Sequence, residues 1–282
     1  MNVLRIVRLA TAGLVIPGSM LAGTMFLAPT ASGASAPTPP ASITAVTTAL
    51  NVMVPAYFGP PSSYWTTLNT EAAVIPNRLV AIANPNSGPG TAFQQSYGDA
   101  ITALQAQTGR VVGYVATGYG AKSLATVETE IDSWYSWYPT INGIFFDEVA
   151  NATGQEAYYQ SLYNYVKTKN AAGLVVDNPG STTQESYLYY NAARVADVIC
   201  TFESASGFST WSQASWTATY DRSNFYELPF NTSLSTYKAA VDHAYQQNAG
   251  WIYVTNDKLP NPWDTLPSYF VDEVNYIKSL YN

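Results

Sequence analysis

Gly143-Ile144-Phe145-Phe146-Asp147-Glu148 is an apolar run of strand length that stops on two adjacent carboxylates. The pattern recurs along the chain. Leu174-Val175-Val176 stops on Asp177-Asn178, Val198-Ile199-Cys200-Thr201-Phe202 stops on Glu203, and a run at Trp251–Thr255 stops on Asn256-Asp257. Such runs are short, nearly unbroken and rich in β-branched and aromatic residues, as strands buried on both faces are. Working outward, further runs lie at Asn51–Pro55, Leu79–Ala83, Val111–Val115 and Asn224–Leu228, the last carrying Glu227.

Longer amphipathic stretches alternate with these runs. Helices are predicted at Ser63–Val74, Ala92–Thr108, Ser123–Tyr138, Gln155–Ala171, Thr183–Ala192, Phe208–Thr217, Leu234–Asn248 and Thr265–Leu280. Eight strand-then-helix units predict an α/β fold of one domain, a (β/α)8 TIM barrel. A doubly wound open sheet is the competing architecture.

Composition narrows the chemistry. The 282 residues are 47% hydrophobic and only 11% charged, which supports a large core and excludes disordered, collagen-like or coiled-coil chains. A formal charge of −7 repels phosphate backbones, so no nucleic-acid partner is expected. One cysteine and one histidine leave no intramolecular disulfide and no thiolate- or histidine-rich metal site, so neither metal nor cofactor is expected. A carboxylate–carbonyl site for Ca²⁺ or Mg²⁺ at Asp147, Glu148 and Glu203 is the alternative, although no D-x-D-x-D-G loop is present. Gly118-Tyr119-Gly120-Ala121-Lys122-Ser123 follows a strand but lacks the glycines of a phosphate loop. No G-x-S-x-G occurs, and His243 falls within a helical run away from any strand end, which argues against a Ser-His-Asp triad.

Arg5 and Arg8 precede an apolar stretch from Leu9 to Ala28, no acidic residue occurs before Glu71, and Ala34-Ser35-Ala36 fits a cleavage site. Residues 1–36 thus read as a secretory signal peptide, 37–46 as a Pro/Ser/Thr linker and 47–282 as the barrel. A membrane anchor is the alternative, weakened by Gly13, Pro17, Gly18 and Gly23. The expectation is a secreted, extracellular monomer with no membrane contact after cleavage.

Barrel enzymes build their sites from the C-terminal ends of strands and the loops that follow. Asp or Asn after a strand also serves as a plain turn former, and Asp177-Asn178-Pro179-Gly180 has that character. Glutamate does not, and neither Asp147-Glu148 nor Glu203 is followed by glycine or proline. These three are the candidate catalytic residues, because glycoside hydrolysis needs one protonated and one ionised carboxyl. Tyr57, Tyr119, Trp211 and Trp263 fall in loops after strands one, three, six and eight, where aromatic faces can stack on sugar rings. With Asn84, Asp177 and Asn256 they form the candidate substrate-binding set. For Glu227 a buried ion pair or hydrogen bond competes evenly, and Trp134–Tyr138 reads as helix packing.

Val54-Pro55-Ala56-Tyr57-Phe58, Ala83-Asn84-Pro85-Asn86-Ser87-Gly88-Pro89-Gly90, Gly113-Tyr114-Val115-Ala116-Thr117-Gly118-Tyr119-Gly120, the Gly143–Glu148 run and Asn261-Pro262-Trp263-Asp264-Thr265-Leu266-Pro267-Ser268-Tyr269 occur in that order. Together they resemble the spherulin-4-like (spherulation-specific family 4, glycoside hydrolase family 135-type) proteins from Asn51 to the C-terminus. The resemblance implies a (β/α)8 barrel that hydrolyses a galactosamine-containing exopolysaccharide, galactosaminogalactan. It also implies a requirement for an Asp-Glu pair and a later Glu, which map onto Asp147, Glu148 and Glu203. A related family of endo-α-1,4-galactosaminidases is similar in using an Asp nucleophile and a later Glu acid/base. The expectation is a secreted, endo-acting, retaining glycosidase with a polysaccharide substrate. Asp147 is the expected nucleophile, supported by an amide such as Asn84, with Glu203 as the acid and Glu148 as the supporting carboxylate. A barrel that binds polysaccharide without cleaving it, or a structural extracellular protein, is the alternative.

Overall fold

The computed structural model describes residues 49–281. The expected signal peptide and linker, residues 1–46, lie outside them. Eight parallel strands close into a barrel: β1 (Asn51–Ala56), β2 (Leu79–Ala83), β3 (Arg110–Ala116), β4 (Gly143–Asp147), β5 (Leu174–Asp177), β6 (Val198–Ser204), β7 (Phe225–Pro229) and β8 (Trp251–Ile252). Each strand pairs with its sequence neighbours, and β1 closes on β8. The molecule is a single-domain TIM barrel, not an open sheet.

Among the described residues six α-helices pack outside it: α1 (Ser63–Val74), α2 (Gln95–Ala106), α3 (Leu124–Trp137), α4 (Glu156–Lys169), α5 (Tyr237–Gln246) and α6 (Phe270–Leu280). No helix among the described residues is long and apolar enough to cross a membrane. The expected helices at 183–192 and 208–217 do not form. The first segment is a 3-10 turn, Glu185–Tyr187, followed by a hairpin of Tyr189–Tyr190 and Ala193–Arg194. Asn191 and Ala192 at its tip both have positive φ (50° and 62°), as a two-residue type I′ turn requires. The second becomes the 3-10 turns Phe208–Thr210 and Ser215–Thr219, with a third, Arg222–Asn224, between it and β7. Its serines and threonines offer the backbone local hydrogen bonds that compete with a helix, as Thr217 does on the carbonyl of Ala214. Trp216 meanwhile packs edge-on against Phe225 of β7 and covers the strand where a helix would.

Side chains alternate between barrel interior and helix layer. Gly113 of β3 faces outward, where a Cβ would lie 2.4 Å from the Trp134 ring of α3, so glycine alone lets the buried indole lie against the strand. Tyr114 therefore faces inward, against Phe145 of β4 at 6.1 Å between ring centroids. Register carries this alternation round the wall: Phe146 pairs with Asp177 and both point outward, whereas Ala116 pairs with Asp147 and both point inward.

One irregularity decides the site. Between β6 and β7, Cys200 pairs with Tyr226 but Phe202 pairs with Glu227, so Thr201 is an extra residue, a β-bulge. Were Thr201 paired as an ordinary strand residue, strict alternation from Cys200 would aim Phe202 inward and Glu203 outward. With the bulge, Phe202 packs outside against Phe208 and Trp211, and Glu203 enters the mouth.

Candidate active site

Asp147 closes β4 and Glu203 lies near the end of β6, with β5 between them. Asn178, the residue after β5, bridges the gap. Its Nδ2 donates to Oδ1 of Asp147 at 2.9 Å and to Oε2 of Glu203 at 2.8 Å. The two N–H bonds of an amide diverge by about 120°, which places these oxygens about 5 Å apart. The other Asp147 oxygen, Oδ2, accepts from the Tyr114 hydroxyl at 2.7 Å. Gly180, at φ +64°, passes so close that a Cβ there would lie 3.4 Å from Oε2 of Glu203.

Glu148 follows in the left-handed region at φ +52°, a conformation that costs a glutamate on the order of 1 kcal/mol. Its carbonyl is held by the Thr117 hydroxyl at 2.7 Å and by the Tyr119 amide at 2.6 Å. Tyr159 of α4 contacts Thr117 Oγ1 at 3.0 Å and accepts from the Ala150 amide at 2.9 Å, so the turn that presents Asp147 is tied down on both sides.

Burial and charge separate the two acids. Glu203 is pushed up to about 7, first by burial and then by the Asp147 charge, while hydrogen bonds from Asn178 and the Trp263 side chain pull the other way. Asp147 is also raised by burial, with a smaller contribution from Glu148, but Tyr114, the Glu148 amide and Asn178 all favour its ionised form. The pair is therefore biased: the proton belongs on Glu203 and the charge on Asp147.

A profile of spherulation-specific family 4 matches residues 51–277. The chain belongs to that family. Spherulin-4 of Physarum polycephalum is 29% identical over 242 residues, spanning 82% of this chain and 71% of that protein. The crystal structure of Aspergillus clavatus Sph3 in complex with GalNAc shares the barrel with a TM-score of 0.71 at 23% identity, covering 82% of this chain and 98% of that one. The cyclic alpha-maltosyl-(1→6)-maltose hydrolase of Arthrobacter globiformis shares the fold more distantly, with a TM-score of 0.54 at 10% identity over 82% of this chain and 81% of that one.

In this family 4 barrel three of the expected aromatic residues meet the acids. Tyr57 sets its ring edge-on to Tyr114 at 5.6 Å, and its hydroxyl is raised by burial and by the charges of Asp147 and Glu203. Tyr119 stands 59% exposed on the rim, and its hydroxyl is raised by burial and then by Glu148, Asp147 and Glu203. Trp263 reaches Glu203 through its side chain but is only 6% exposed, packed on Phe230 and Tyr253. It forms a wall of the site more than an open stacking face.

Other expected residues do not join the site. Trp211 lies outside the barrel on Phe202 and Phe208, because the bulge sends Phe202 outward and Trp211 follows it. His243 of α5 packs edge-on against Phe208 in the same cluster. Asn84 spends its Oδ1 on the Gly88 amide at 3.0 Å within its own turn, and the donors on Asp147 are Tyr114 and Asn178 instead. Asp177 points into the helix layer, 1% exposed, with neither carboxyl oxygen hydrogen-bonded. Asn256 is exposed on the loop after β8, and no described contact links it to the acids. Glu227, also outward and fully buried, has no ion pair among the described residues and accepts a long contact of 3.5 Å from Gln213. Among the described residues, no three His, Cys, Asp or Glu side chains converge as metal ligands.

The strand-end rule does not single out Tyr114 or Asn178, both central to this site. The signals were present: a phenol inside the apolar run Val111–Val115, and an amide one step past Asp177 and so on the opposite face.

Proposed function

We propose that this protein is a secreted, monomeric glycoside hydrolase that cleaves within a galactosamine-containing polysaccharide by a retaining two-carboxylate mechanism. The observation that carries this reading is the amide bridge: carboxyl oxygens about 5 Å apart match a nucleophile and an acid, whereas an inverting pair needs room for water between them. In the first step Glu203 gives its proton to the glycosidic oxygen as Asp147 attacks the anomeric carbon, breaking the C–O bond and forming a glycosyl ester. In the second, Glu203 takes a proton from water, and the resulting oxygen nucleophile displaces Asp147. Tyr57 and Tyr119 supply ring faces and hydroxyls to the sugar, and Glu148 contributes negative potential beside Asp147. The GalNAc in the Sph3 complex and family membership support an amino-sugar polymer as substrate. The basic, then apolar, N-terminal sequence ending in Ala34-Ser35-Ala36 supports export.

The test is incubation of the chain with galactosaminogalactan and with unrelated polysaccharides, assayed for new reducing ends. Release is expected from the first, with losses of at least about 10²-fold in Asp147→Asn and Glu203→Gln. On an activated aryl glycoside, whose leaving group needs little protonation, Glu203→Gln should still be glycosylated while Asp147→Asn stays inactive. Binding without new reducing ends would replace hydrolysis with a binding function.

A further inference from the structure

We propose that Asn178 is a positioning residue that fixes the spacing of Asp147 and Glu203 through a single amide nitrogen and, by donating to both, opposes uptake of a second proton by the pair. The inference rests on the hydrolase reading for its kinetic consequences but not for its structural ones. Asn178 is 5% exposed and held at every polar atom. Its backbone amide donates to the Phe146 carbonyl at 2.8 Å, and its own carbonyl accepts from Val149 at 3.1 Å, so it grips β4 on either side of Asp147 and Glu148. Its Oδ1 accepts from the Gly180 amide at 2.9 Å. That bond fixes the orientation of the side chain, since a flipped amide would lose it and aim a carbonyl oxygen at two carboxylates. Both Nδ2 hydrogens are consequently directed at the acids.

The electrostatic setting gives this donor its weight. Besides the pair itself, the titratable groups around it are Tyr57 after β1, Tyr114 on β3, Tyr119, Glu148, Cys200 on β6 and Tyr226 on β7. None of them is a cation. Two buried carboxyls in such surroundings would retain a second proton, and a protonated Asp147 cannot attack. Asn178 opposes that uptake at both members at once, because a hydrogen bond to a carboxylate favours its ionised form.

The experiment compares the full chain with Asn178→Ala and Asn178→Asp, the latter preserving side-chain size. Carboxyl ¹³C NMR follows the titration of the pair without need of substrate, and the Asn178 side-chain ¹⁵N resonance is followed in the unaltered protein. Both carboxyls are expected to titrate at higher pH in either variant, and the Asn178 amide should shift through the same midpoint as Glu203. With substrate, both limbs of the pH–rate profile should move to higher pH. At neutral pH kcat should fall about 10²-fold with little change in KM. A folded variant with the unaltered titration overturns the proposal, as does an Asn178 amide that ignores the titration of the pair. If the titrations behave as expected but no polysaccharide is cleaved, the hydrolase reading fails and the role of Asn178 stands.

Discussion

Tyr114 donates a 2.7 Å hydrogen bond to Asp147 although the two are not register partners: Tyr114 pairs with Phe145, and Asp147 with Ala116. Both face the barrel interior on adjacent strands, and the phenol spans the two-residue offset diagonally. A strand-borne tyrosine thus supports a carboxylate at the mouth from one layer below it.

Tyr114→Phe should therefore leave the barrel folded while removing one donor from the Asp147 carboxylate. A hydrogen bond to a charged acceptor contributes about 1.5–3 kcal/mol, so a fall in kcat of roughly 10- to 100-fold is expected. Kinetics with a circular-dichroism melt would check it, and full activity in the variant would remove Tyr114 from the site.

Stability should decline as pH rises. Glu203 is raised to about 7 and Glu273 to about 8, both chiefly by burial, and Asp177 and Glu227 are raised in the same direction. A carboxyl whose folded value is raised holds its proton more tightly when folded. Its contribution is complete below the unfolded value of about 4.5 and is lost as pH climbs through the folded one. Melting temperature measured from pH 4.5 to 8.5 should fall steadily, and a rise across that window would contradict these assignments.

Asp177→Asn should not touch catalysis, because the side chain points into the helix layer away from Asp147 and Glu203. Removing a buried carboxyl without partners is expected to raise stability at pH 8 by about 1 kcal/mol or more, with the gain shrinking toward pH 5. Urea unfolding at the two pH values reads this directly. A loss of substrate affinity would restore Asp177 to the groove.

Gly113→Ala should be severe. The added Cβ would lie 2.4 Å from the fully buried Trp134 ring, and forcing the indole away costs about 1–3 kcal/mol. Chemical denaturation is expected to show a lower midpoint with an unchanged slope.

The barrel was legible in the sequence because its strands are buried on both faces and so read as continuous apolar runs, and the helices with regular apolar spacing followed. The segments at 183–192 and 208–217 were not. Their tyrosines and tryptophans satisfy a helical pattern, but left-handed Asn191 and Ala192 and the packing of Trp216 on Phe225 settle them otherwise. Placing acids at strand ends found Asp147 and Glu203 but could not say which face each would take. The strand-end rule puts Asp177 in the groove although its parity turns it away, and the turn-like sequence Asp177-Asn178-Pro179-Gly180 conceals the role of Asn178. Trp211 departs from its expected place for a related reason, since the bulge at Thr201 leaves no mark on the pattern of hydrophobic residues.

That bulge makes the identity of the mouth separable from the rest of the fold. If Thr201 paired with β7 as an ordinary strand residue, the end of β6 would slip by one position, bringing Phe202 to the rim in place of Glu203 and sending the carboxylate into the wall; deleting Thr201 would instead remove the bulge and leave both side chains facing as they do. No other strand would need to change register. A barrel with an acid at its mouth and one with a phenyl ring there thus differ by a one-residue slip at the end of a single strand, so the same residues in the same order could present either side chain on an unchanged scaffold.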